Sequence, residues 1–201
     1  HAPPPPAPAP ALRTPVARQA DPVAESSAAD FAREGELSFR QRDYKSAVRA
    51  WRHAILDDPQ NGTIVLMLAQ ALFQAGEYDE AAGAVQGGIM MMPKDKWGVV
   101  VTNYKDLYSD TQNYVDQLKS LEKAVKDKPK EPALRFLVGY HYLYLGYPAE
   151  AVREFKAAEE VAKNDKALKE LMELAEEEAK KKTDKPDTLP PAEAPKKPDA
   201  Q

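Results

Sequence analysis

The chain has 201 residues and a formal net charge of −4, with 28 basic residues set against 32 acidic ones. That mixture offers no basic face or stripe for a nucleic acid to read. The absence of cysteine excludes disulfides, thiolate catalysis and cysteine-ligated metal, and no apolar run approaches the roughly 18 residues that cross a bilayer.

From the N-terminus, proline crowds the ends: eight of the 18 prolines lie up to Pro22 and five from Pro186 onward. All aromatic residues fall between Phe31 and Phe155. End segments without aromatics bury too little apolar surface to offset the entropy of ordering them. A disordered Pro/Ala-rich arm is therefore expected over residues 1–27 and a disordered Pro/Lys-rich tail over 183–201. The opening His1-Ala2-Pro3-Pro4-Pro5-Pro6 stretch suits the spacer behind a removed export signal. The expected location is the periplasm or cell envelope, with the cytoplasm as the alternative.

Between the ends the chain repeats itself. Pro59 and Pro93 each close a stretch of one layout: Ala47, Trp51 and Ala54 before the first, Ala81, Val85 and Gly88 before the second. The same offsets before Pro129 give Gln117, Leu121 and Ala124, and a fourth copy gives Ala151, Phe155 and Ala158 with Lys163 in place of proline. Twelve positions ahead of these marks stand Gly35, Ala69, Lys105 and Gly139, of which only Lys105 is large. Turn residues separate the halves: Arg42-Asp43-Tyr44, Gly76-Glu77-Tyr78, Gln112-Asn113-Tyr114 and Gly146-Tyr147-Pro148. Small residues let two helices approach closely, large ones fill the space against the next unit, and proline stops the second helix. The third copy is offset by two residues, which predicts a lengthened turn from Met92 to Trp97.

This register resembles the tetratricopeptide pattern over about two thirds of the chain. The resemblance implies an all-α fold, a right-handed superhelix of about four helical hairpins (residues 28–61, 62–95, 98–131 and 132–165). A capping helix over 166–182 follows, where Leu168, Leu171, Met172 and Ala175 make a narrow apolar stripe. It also implies a non-catalytic scaffold that binds a peptide or a partner helix in the concave groove lined by the first helix of each hairpin. Carried over by position, the lining residues are Ala32, Glu36, Phe39 and Arg40; Leu66, Gln70, Phe73 and Gln74; Thr102, Asp106, Ser109 and Asp110; and Phe136, Tyr140, Leu143 and Tyr144. The carboxylate clamp of co-chaperone members is missing, since Ala32, Glu36, Leu66 and Gln70 occupy its positions. Residues four apart share a helix face, so Tyr140 and Tyr144 are expected to look into the groove and Tyr142 to pack inward.

Other features are explained by packing. Met90-Met91-Met92 ends a helix, with an adaptable binding patch as the alternative. Gly87-Gly88 allows close helix contact and has no phosphate loop around it. His53 and His141 lack companions at metal-ligand spacing. No nucleophile, base and orienting group assemble, so neither catalysis nor a cofactor or metal is expected. The expected partner is a protein or peptide, and the oligomeric state is left open. The alternative roles are a structural subunit of an assembly, using array edges or tails, and an accessory subunit that positions a catalytic partner.

Overall fold

Small residues at helix crossings set the architecture. A Cβ added at Gly35 would lie 2.4 Å from Trp51 Nε1, and one at Gly139 would lie 2.7 Å from the Phe155 ring. Each glycine is therefore the floor on which the large residue of the facing helix rests. The computed structural model describes residues 22–183, with side chains from Ser27 onward. The described residues form helices and turns without a strand. The expected arm over 1–21 and the expected tail over 184–201 lie outside the described residues.

Three hairpins follow the repeat register. They are α1 (Pro22–Arg40) with α2 (Tyr44–Asp57), α3 (Gly62–Gln74) with α4 (Tyr78–Ile89), and α8 (Pro132–Tyr144) with α9 (Pro148–Glu159). Each turns on one left-handed residue, Arg42 (φ 64°), Gly76 (φ 78°) or Gly146 (φ 91°). The backbone N–H three residues beyond the helix end then reaches back over the last turn: Asp43 to Ser38, Glu77 to Leu72 and Tyr147 to Tyr142. This is the Schellman closure of a helix C-terminus. Helix α2 is capped by the Asp43 carboxylate, which accepts from the Ser46 N–H at 3.0 Å, whereas Glu77 at the start of α4 makes no such side-chain bond. Helix α10 (Lys166–Thr183) lies along α9, and Asp165 caps it by accepting from Leu168 N–H at 3.0 Å. Helix α1 begins at Pro22, within the stretch assigned above to the arm. Ala24, Ala28 and Ala29 near its start have high helix propensity.

Of the four expected copies, three are regular hairpins and the third departs from the register. After Pro93 comes a single 3-10 turn, Lys94–Lys96, where the lengthened connection was expected. The first helix of this copy is broken into α5 (Val99–Thr102) and α6 (Tyr104–Leu107). Three successive valines and a threonine are poor helix formers. Asn103 breaks the ladder, its side-chain amide donating to the Val99 carbonyl at 2.8 Å. The chain is extended at Tyr108 and resumes as α7 (Gln112–Asp127) with no left-handed turn residue. Lys105, which stands where the other copies have glycine or alanine, is exposed.

The consequence is a change of neighbours. Helix α4 packs directly against α8, so the second and fourth copies are adjacent in the stack. The third copy lies across the first helices of the other three: α5 against α3 and α8, α6 against α1, and α7 against α3 and α8. One apolar core runs through everything, including Trp97, Val101, Tyr104, Leu107, Tyr108 and Tyr114 from this crossing segment.

Candidate functional site: a concave face covered by the third copy

The first helices α1, α3 and α8 line the face on which a tetratricopeptide array is expected to bind. Residues 97–114 occupy it. At the centre is the Tyr108 ring, placed edge-on to Phe39 with centroids 4.9 Å apart. Its hydroxyl accepts from Gln70 Nε2 and from Gln74 Nε2, each at 2.7 Å. Burial pushes the Tyr108 hydroxyl well above the ordinary phenol range, so it stays protonated. Tyr104 and Tyr114 stack with centroids 4.7 Å apart, and Tyr114 also packs on Phe73.

At the fourth copy, the Tyr140 hydroxyl donates to the Trp97 carbonyl at 2.7 Å. The Tyr144 ring lies on Gly98 so closely that an added Cβ would sit 1.9 Å from Cδ1. His141 is buried between Phe73 and Tyr114, sharing a 2.7 Å hydrogen bond between its Nδ1 and the Tyr114 hydroxyl. Burial alone pushes the imidazole down to about 3, so it is neutral at physiological pH. The Gln117 amide donates to the Phe73 carbonyl at 2.7 Å and to the Tyr78 hydroxyl at 3.0 Å, fixing α7 to the end of α3. At the first copy the contacts are polar and exposed. Arg40 donates to the Asp106 carbonyl at 2.6 Å, the Ser109 hydroxyl donates to the Arg40 carbonyl at 2.7 Å, and Arg42 pairs with Asp110 at 3.1 Å.

This geometry corrects the open-groove reading. Phe39, Leu66, Gln70, Phe73, Tyr140 and Leu143 are buried, and Gln74 and Tyr144 partly so; the third copy touches Phe39, Gln70, Phe73, Gln74, Tyr140 and Tyr144, while Leu66 packs on Gly88. Gln70 is 3% exposed, a value that leaves no surface for a ligand. Phe136 is buried elsewhere, 6.2 Å from Phe155 between ring centroids, and floors a cleft of about 190 Å³ between α4, α8, α9 and α10. Glu36 and Ala32 are half-buried on α1. Arg40, Thr102, Asp106 and Ser109 are exposed, and Asp110 half-exposed, on the outer side of the crossing segment or its rim. Tyr142 packs inward and donates to Glu122 Oε1 at 2.7 Å.

The residues that sequence reasoning passed over are Trp97, Gly98, Tyr104, Tyr108 and Tyr114. Lys105 and the two-residue offset signalled that this copy was irregular. Neither signal says which face an irregular copy covers. Among the described residues, no group of three or more His, Asp or Glu side chains converges as a metal site, and no helix is long and apolar enough to cross a membrane.

Stacked helical hairpins, with glycine floors and left-handed turns in register, define a helical-repeat interaction scaffold. Residues 33–88 match the family described as tetratricopeptide repeat, and this part of the chain is built from tetratricopeptide repeats. Tetratricopeptide repeats mediate protein–protein interaction, and that general role holds here. No curated protein matches the chain. Among solved structures, "Crystal structure of MamA protein" aligns with 83% of this chain and 99% of that chain, at 16% identity and a TM-score of 0.35, a superposition too loose to inform the site.

Proposed function

We propose that this chain is a non-catalytic scaffold that engages its partner along the edge formed by the ends of its second helices, with the concave face covered. One observation carries this reading. Leu56, Met90, Met91 and Val161 are exposed, Leu56 by 77%, and each lies in or just beyond the last turn of α2, α4 or α9. Exposed large apolar side chains at matching places of successive hairpins are a mark of an interaction surface. Methionine suits such a surface because its unbranched thioether adapts to varied partners. The bound element is a peptide or a helix of a partner protein.

Site-specific photo-crosslinking tests the reading in the native source. A photoreactive residue at Met91 is expected to trap a discrete protein partner, and the pair Leu56→Glu with Val161→Glu to reduce the adduct tenfold or more. Trapping from Thr102 but not from Met91 would place the partner on the crossing segment instead. Sedimentation of the purified chain covers the structural-subunit alternative: an adduct that is a second copy of this chain, with concentration-dependent mass, assigns the edge to self-assembly.

A further inference from the structure

We propose that residues 98–110 are a releasable strap, and that the Gln70–Gln74 pair beneath it is a clasp for the tyrosine of an incoming protein segment. This is independent of the docking edge, because it concerns the opposite side of the hairpins and a different chemistry.

The strap already shows what the clasp holds. Two glutamine amides on successive turns of α3 converge on one phenol oxygen, each at 2.7 Å, while the Phe39 ring stands nearly perpendicular to the same ring, at 88°. A phenol oxygen accepts two N–H donors where an aliphatic hydroxyl would leave the aromatic slot empty, so the pair selects tyrosine.

The strap is also built to let go. Its helices α5 and α6 are four residues each, far shorter than a helix that holds itself together in water. Its outer side, with Thr102, Asn103, Asp106 and Ser109, faces solvent, and beside the buried Tyr108–Phe39 contact its hydrogen bonds to α1 are exposed. Exposed polar pairs contribute little, and segments with few buried backbone bonds open locally before the core does. At its start Gly98 rests on the Tyr144 ring, and the Tyr144 hydroxyl is buried without a hydrogen-bond partner.

Hydrogen exchange on the wild-type chain provides the first test. Amides of residues 100–110 are expected to exchange through a local opening at least a hundredfold more frequent than the opening of α3. Equal protection of the two segments would overturn the proposal.

The second test uses a synthetic peptide of residues 96–112 as probe. Gly98→Leu drives a side chain into the Tyr144 ring and lifts the strap. Because the chain has no cysteine of its own, Arg40→Cys with Ser109→Cys, joined by a short bifunctional cross-linker, ties the strap down. The peptide is expected to bind the Gly98→Leu chain at least tenfold more tightly than wild type and not to bind the tied chain. Replacing the peptide's tyrosine at position 108 by phenylalanine is expected to weaken binding tenfold or more. Equal binding to tied and untied chains, or none to a folded Gly98→Leu chain, would overturn the clasp. If Gly98→Leu does not fold, wild-type exchange and wild-type against tied binding decide the matter.

Discussion

The Gln70 side chain donates to the Tyr108 hydroxyl at 2.7 Å across 38 positions of chain, and neither group is open to solvent. Gln74 donates to the same oxygen at 2.7 Å. Removing only that oxygen leaves the Gln70 amide without an acceptor under an intact ring, while Gln74 keeps the Asn113 carbonyl at 3.4 Å. Tyr108→Phe is therefore expected to cost about 2 kcal/mol, the desolvation of a donor left unpaired. Tyr108→Ala, which also empties the slot against Phe39, is expected to cost about 3–5 kcal/mol. Urea unfolding followed by circular dichroism measures both, and an effect of Tyr108→Phe near zero would show that the amides find other partners.

Glycine floors give opposite signs in different places. Alanine is a better helix former than glycine by about 1 kcal/mol. At Gly83 in α4, where an added Cβ meets nothing within 4 Å, Gly83→Ala is expected to stabilise by about 0.5–1 kcal/mol. At Gly35 and Gly139 the same methyl would meet Trp51 at 2.4 Å and Phe155 at 2.7 Å. Overpacking of about 1–3 kcal/mol exceeds the propensity gain there. Both substitutions are expected to lower the thermal midpoint while Gly83→Ala raises it. In Gly35→Ala the bond from Trp51 Nε1 to the Ala32 carbonyl, 3.1 Å long, is also displaced, and the tryptophan emission shifts with it.

His141 makes stability depend on pH in a defined direction. Its folded value is about 3 against an ordinary 6.5, because burial disfavours the charged ring. Below about pH 6.5 the unfolded chain takes a proton that the folded chain refuses, so stability is full above that pH and declines as pH falls toward 3. Between pH 7 and pH 5 the loss is about 2 kcal/mol. His141→Gln keeps a polar group for Tyr114 but does not titrate, and its stability is expected to be nearly flat over that window. Parallel curves for the two chains would sink the assignment.

Arg135 and Glu154 join α8 to α9 with a contact of 2.6 Å, the carboxylate side chain only 8% exposed and the guanidinium 21%. Arg135 Nε also donates to the Pro129 carbonyl at 3.0 Å. Arg135→Met leaves Glu154 with Arg153 alone, 3.5 Å away on the solvent side. An orphaned buried charge costs about 3–5 kcal/mol. With the arginine partly exposed and a second cation near, the expected loss is about 2 kcal/mol. Glu154→Gln, which removes the charge rather than stranding it, is expected to cost less, and equilibrium unfolding of the two variants compares them.

What the sequence made legible was local. Gly35 opposite Trp51 and Gly139 opposite Phe155 are pairs within one hairpin, fixed by helix geometry over short separations, and their spacing carries the register. The third copy shows where such reasoning stops. Lys105 and the extra residues before it mark a repeat that cannot seat a facing helix. The direction in which the displaced segment folds is decided by contacts as remote as Gln70 with Tyr108 and Arg40 with Ser109. No period in the sequence encodes those pairs. The groove residues were assigned from a family habit that assumes every copy stacks. Phe39, Phe73 and Tyr140 do belong to the helices that line the concave face, but Tyr108, Tyr114 and Trp97 meet them there. Tyr108 itself stands at no marked position of the repeat register.

The direct packing of α4 on α8 changes how the chain can come together. In a regular array each unit meets its neighbour in sequence, and folding propagates along the row. Here the fourth copy seats on the second only after about forty intervening residues have been looped out, a closure whose entropic cost grows slowly with length. The looped-out segment then reaches back to α1 and braces the first copy against the rest. Hairpins joined in this way are braced against peeling from the ends one at a time, and freeing residues 98–110 returns the row to a stack held by neighbours alone.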